Sequence, residues 1–131
     1  MTAFLDASAM VAIMTNEAEA FDLERRCGET GELLSSAIAL WEAARAVARK
    51  RTLPVSVAFA EVETFVSGFD IRIVPIGTSE ARGAAAAQDS FGKGIHPANL
   101  NMGDCFAYAC AKTNNATLLY KGNDFAQTDL A

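Results

Sequence analysis

Apolar residues along this chain fall into short blocks separated by longer segments where they recur at helical spacing. Ala3-Phe4-Leu5 is an apolar run closed by Asp6 and predicts a buried first strand. From Asp6 to Met14 the pattern turns helical, because Ala7, Ala9 and Ala12 favour helix and Val11, Ile13 and Met14 supply an apolar side. Asn16 with Glu19 three residues later has capping-box spacing and predicts a second helix to about Cys27, ended by Gly28. Glu32-Leu33-Leu34-Ser35 predicts a short strand, and Ser35 or Ser36 then caps a helix through Trp41 and Glu42 to about Arg51. Pro54 permits a fresh helical start over 55–66, terminated by Gly68. Ile71-Arg72-Ile73-Val74 alternates and predicts another strand. Thr78 is placed to cap an Ala-rich helix to Gln88, and Gly92 to Pro97 reads as loop. Asn101 opens a helix through Asp104 to Lys112, Thr117-Leu118-Leu119-Tyr120 predicts a strand, and Lys121 to Phe125 is the loop after it.

Strands alternating with helices predict an α/β sandwich on a mainly parallel sheet. There is no repeat, low-complexity stretch or linker, so residues 1–131 read as one domain, a length that supports a single core. An apolar content of 51% fits a globular protein, and no stretch approaches the roughly 20 apolar residues of a membrane-spanning helix. The start Met1-Thr2-Ala3-Phe4-Leu5-Asp6 lacks the basic opening of a signal peptide, so a cytoplasmic protein is expected.

Composition narrows the chemistry. Three cysteines without a CxxC pair argue against a disulfide framework and a Cys-based zinc site, and the one histidine, His96, argues against a Ser-His-Asp triad. Carboxylates must carry any catalysis. The net charge of −5 is unusual for a nucleic-acid binder. Bound divalent cations would reverse the sign of one pocket, and Arg45, Arg49, Lys50 and Arg51 cluster locally.

Ligands of open α/β sheets bind beyond the carboxyl ends of strands. Asp6 and Asp124 follow predicted strands, and Glu42 and Asp104 lie in the first turns of helices, so four acids from four segments can meet at one end of the sheet. Neighbouring carboxylates repel, and Mg²⁺ or Mn²⁺, which prefer oxygen ligands, relieve that repulsion. Each acid also has a structural reading. Asp6 suits a helix N-cap, Glu42 a solvated helix face, Asp104 a capping pair with Asn101, and Asp124 a turn.

Taken together, the series resembles a known family. Phe4-Leu5-Asp6-Ala7-Ser8-Ala9 looks like the opening motif of PIN domains, and Glu42-Ala43 is similar to their internal Glu. Gly103-Asp104-Cys105-Phe106-Ala107-Tyr108-Ala109 looks like their second essential Asp on an Ala-rich helix. Leu118-Leu119-Tyr120-Lys121-Gly122-Asn123-Asp124-Phe125 with Thr128-Asp129 resembles the closing motif of a subgroup of the VapC toxins.

The resemblance implies a three-layer sandwich with four or five short strands and about seven helices. It implies an endoribonuclease in which Asp6 and Asp104 hold Mg²⁺ or Mn²⁺ most directly and Glu42 and Asp124 complete the pocket. A metal-activated water would attack an RNA phosphodiester. Asn123 competes with Asp124 for the fourth place; Ser8 and Thr128 are expected to support ligating groups, and Lys121 to meet phosphate. A toxin role, a homodimer and a VapB-like antitoxin inserting a basic residue at the acidic pocket follow from the same resemblance. Two other readings stand beside it: a PIN-like binding module without catalysis, and another Mg²⁺-dependent α/β phosphohydrolase. The second usually shows Asp-x-Asp where this chain has Asp6-Ala7-Ser8.

Overall fold

The computed structural model describes all residues, 1–131. Four strands form one parallel sheet: β1 (Thr2–Leu5), β2 (Glu32–Ser36), β3 (Ile71–Val74) and β4 (Thr117–Leu119), in the order β3-β2-β1-β4. Six helices connect them: α1 (Ala7–Met14), α2 (Ala20–Gly28), α3 (Ala37–Arg51), α4 (Val55–Gly68), α5 (Thr78–Phe91) and α6 (Met102–Thr113). The class is the expected α/β sandwich. Ala3, Phe4 and Leu5 of β1 and Leu33 to Ser36 of β2 are buried without alternation, as they must be in a parallel sheet covered on both faces. None of the helices is long and apolar enough to cross a membrane.

Small residues let the helices approach one another. Ala43 and Ala44 of α3, Ala84 and Ala87 of α5, and Ala107, Ala109 and Ala111 of α6 are buried. A Cβ on Gly83 would lie 3.1 Å from the Ala109 Cβ, so α5 and α6 pack close to backbone contact. Phe4, Leu5, Met10, Leu34 and Phe125 fill the remaining volume of the core.

Several expectations need correction. There are six helices rather than about seven, because 120–131 forms only turns and 92–101 is a loop closed by a bridge between Gly92 and Leu100. Asn16 is not a cap. It takes the left-handed conformation (φ 52°) that Asn tolerates after a helix, and α2 starts at Ala20 with no side-chain cap. Gly28 is the last helical residue and Glu29 follows it. Gly77 precedes α5 in place of Thr78, its N–H donating to Glu80 Oε1 at 2.8 Å, and the helix continues to Phe91. Strand β3 does not alternate: Ile71 and Val74 are buried while Arg72 and Ile73 are exposed, as befits the edge of the sheet.

Candidate active site

β1 neighbours β2 on one side and β4 on the other, so the connections diverge at the β1/β4 boundary, where α/β sheets open a crevice. Asp6 leaves β1 at that boundary, its N–H bonded to Leu119 O at 3.1 Å. It also caps α1: Oδ2 accepts from Ser8 N at 3.2 Å and from Ser8 Oγ at 2.7 Å. The structural reading of Asp6 as a helix N-cap holds. Ser8 Oγ in turn accepts from Lys121 N at 3.0 Å, which ties the loop after β4 to the carboxylate.

Asp104 sits in the first turn of α6, 9% exposed, in a reciprocal box with Asn101. Its N–H donates to Asn101 Oδ1 at 2.9 Å, and its Oδ2 accepts from Asn101 N at 3.1 Å. This box holds the carboxyl by one oxygen and leaves the other free. Glu42 reaches across from α3 to the start of α6, where a Cβ on Gly103 would lie 1.9 Å from Glu42 Oε2. Glycine at 103 is thus what makes room for that carboxylate. This contact was not foreseen from the sequence, where Gly103 is only a neighbour of Asp104.

The acids act on one another. Burial and then the charges of Asp6 and Asp104 raise the Glu42 carboxyl to about 7, against a counteracting pull from Arg45. Burial raises Asp104 to about 6; Asn101 opposes this, and the charges of Asp6 and Asp124 add to it. Asp6 is also raised, chiefly by burial, with Ser8 pulling the other way and Asp124 contributing. All four predicted acids lie within electrostatic reach of this cluster. The backbone carbonyl of Asn123 accepts from Ala126 N at 3.2 Å.

Two other expected residues are engaged elsewhere. The Lys121 ammonium pairs with Glu17 and lies 3.9 Å from Glu19. The Thr128 hydroxyl donates to Phe125 O at 2.8 Å and accepts from Leu130 N at 3.1 Å, closing the C-terminal turn. Asp129 fastens that turn to α6 through Tyr108 and Lys112. Glu17, absent from the sequence-based candidates, is a hub: Lys121 and Lys50 hold its carboxyl down at about 2.

The donor set suits a hard divalent cation. Every group is a carboxylate, Asp6 and Asp104 are buried while Glu42 is half-buried and Asp124 exposed, the charges repel one another, and Glu42 has no hydrogen-bond donor of its own. No three side chains stand close enough to enclose an ion unaided.

Comparison with known proteins points to one family by sequence and to one fold by structure. The sequence profile of the PIN domain matches residues 3–130. A VapC ribonuclease of Rhizobium meliloti is 38% identical over 139 residues, covering 97% of this chain and 98% of the relative. Ribonuclease VapC30 of Mycobacterium tuberculosis is 33% identical, covering 97% and 95%. Among solved structures, Mycobacterium tuberculosis VapC20, a sarcin-ricin-loop-cleaving toxin, superposes with a TM-score of 0.71 at 13% identity, covering 96% of this chain and 93% of that one. A toxin–antitoxin complex from Klebsiella pneumoniae also reaches 0.71, at 17% identity, covering 98% and 93%.

Proposed function

The chain belongs to the PIN domain family, and from that membership we propose that it is a divalent-metal-dependent endoribonuclease, the toxin of a toxin–antitoxin pair acting in the cytoplasm. The observation that carries the reading is the meeting of Asp6, Glu42 and Asp104, from three separate elements, with Asp124 in reach, at the sheet's switch point. Mutual repulsion of this kind is destabilising unless a cation or a proton offsets it.

Asp6 and Asp104 would hold Mg²⁺ or Mn²⁺ most directly, with Glu42 and Asp124 completing the pocket. Such an ion supplies an activated water and offsets charge on the phosphate. The chain's own residues set the geometry. Ser8 fixes the rotamer of Asp6, and Asn101 fixes that of Asp104. Glu42, which burial and the charges of Asp6 and Asp104 raise to about 7, would be drawn to its charged form by such a cation. Lys121 meets phosphate only by exchanging Glu17 for it.

An antitoxin partner belongs to this reading. The acidic pocket and the net charge of −5 suit a basic inhibitory side chain. A homodimer is part of the same reading, and light scattering on the free protein tests it.

The protein, purified free of any partner, is expected to cut total RNA at discrete sites in Mg²⁺ or Mn²⁺ and not in EDTA. Asp6→Asn and Asp104→Asn are each expected to abolish cutting while circular dichroism stays native. Wild-type cleavage by either folded variant would overturn the assignment. Cleavage of a small phosphoester in place of RNA would move it to a phosphohydrolase.

A further inference from the structure

Of the eleven Lys and Arg residues, six are held in ion pairs: Arg25, Lys50, Arg51, Arg72, Lys112 and Lys121. The basic cluster at the end of α3 therefore divides. Lys50 is tied to Glu17 and Arg51 to Glu61, whereas Arg45 and Arg49 are exposed and unpaired. Positions 41, 45 and 49 are spaced four apart and share one helix face, about 6 Å from one to the next along the axis. The stripe is Trp41, Arg45 and Arg49.

Trp41 is 49% exposed, and the Arg45 guanidinium lies 4.9 Å from its ring centroid. An exposed cation–π contact is too weak to explain leaving so large an apolar ring in water. The stripe also borders the acidic cluster. Glu42 lies three residues before Arg45, and the Arg45 charge acts on the Glu42 carboxyl.

We propose that Trp41, Arg45 and Arg49 form a track for single-stranded RNA leading into the acidic pocket, a base stacking on Trp41 and successive phosphates meeting the two arginines. Aromatic platforms joined to unpaired cations are how proteins hold single strands. A polyanion approaching four carboxylates also needs positive charge at the rim, and these are the free cations on the helix that carries Glu42. The unpaired positive charge of Arg45 and Arg49 complements a phosphate backbone, so charge complementarity favours nucleic acid on this face. The proposal rests on the ribonuclease reading for its substrate but is tested without cleavage.

Trp41 is the chain's single tryptophan, so its emission reports on the stripe directly. A single-stranded RNA oligonucleotide of mixed sequence is titrated into the whole protein at low salt in EDTA. Anisotropy of the same oligonucleotide, end-labelled, follows the variants. Expected are saturable quenching, affinity about threefold weaker in Arg49→Gln, and affinity on the order of tenfold weaker in Arg45→Gln/Arg49→Gln and in Trp41→Leu. Circular dichroism of each variant should stay native.

Absence of quenching, or equal affinity in the folded double variant, overturns the track. Unchanged RNA affinity with loss of self-association or of antitoxin binding overturns it in favour of a protein interface. Metal-dependent cleavage with binding indifferent to these substitutions removes the track and leaves the nuclease. Stripe-dependent binding without cleavage in any metal does the reverse.

Discussion

At Gly103, the Cβ of any other residue would overlap the Glu42 carboxylate, and the atoms in the way are the far end of a flexible side chain. Gly103→Ala is therefore expected to move Glu42 without disturbing the fold. Replacing an in-helix glycine adds up to about 1 kcal/mol of helix propensity, so the melting temperature should hold or rise. RNA cleavage should fall on the order of 100-fold, the effect of displacing a catalytic group by about an ångström. Thermal melts and cleavage rates measured side by side check this, and wild-type activity in Gly103→Ala would remove Glu42 from the chemistry. Single residues were the scale at which the sequence was most ambiguous. Asp6 caps α1 and Asp104 pairs with the Asn101 cap of α6, as local spacing predicts, and both also lie in the acidic cluster with Glu42, which local spacing does not reveal.

Among the elements, α6 is the one whose start decides function. Asn101 closes the box that orients Asp104 and satisfies one free N–H of the first turn, that of Asp104 itself. Asn101→Ala is expected to lower stability by about 1 kcal/mol and, by loosening the first turn from which the residue 101 N–H holds Asp104 Oδ2, to reduce cleavage further than that loss of fold explains. Denaturant melts and cleavage assays together check it; a variant equally unstable yet fully active would contradict it. Periodicity and cap residues made β1, α3, β2 and α6 legible in the chain, since Ser36 and Asn101 obey local rules. The start of α2 was not legible. Asn16 and Glu19 have the spacing of a capping box, but Glu17 between them is drawn to Lys50 and Lys121 from distant segments, and long-range ion pairs leave no local pattern. The same holds for Lys121, whose placement beside the pocket follows from sequence order while its pairing with Glu17 does not.

For the whole molecule, two sets of acids pull stability in opposite directions with pH. Glu17 is held down at about 2 from its ordinary 4.5, so its contribution is present above 4.5 and is lost as pH falls toward 2. Asp104 and Glu42 are raised, to about 6 and about 7, so the native state binds more protons than the unfolded chain between roughly pH 4 and 7, and stability falls as pH rises through that range. In EDTA the melting temperature is expected to decline from pH 5 to 8. Saturating Mg²⁺ or Mn²⁺ should flatten the decline by occupying the same carboxylates, and parallel slopes with and without metal would argue against a cation site there. The fold and the four acids could be read from the order of segments because a parallel sheet brings its strand ends to one side. The Glu42–Gly103 contact, by contrast, required the packing of α3 against α6. The rate of RNA cleavage by partner-free protein as Mn²⁺ is titrated, measured for wild type and Glu42→Gln, tests the metal-dependent nuclease most directly. A saturable rise from no activity in EDTA, lost in the folded variant, is predicted; cleavage in EDTA at the metal-saturated rate would contradict it.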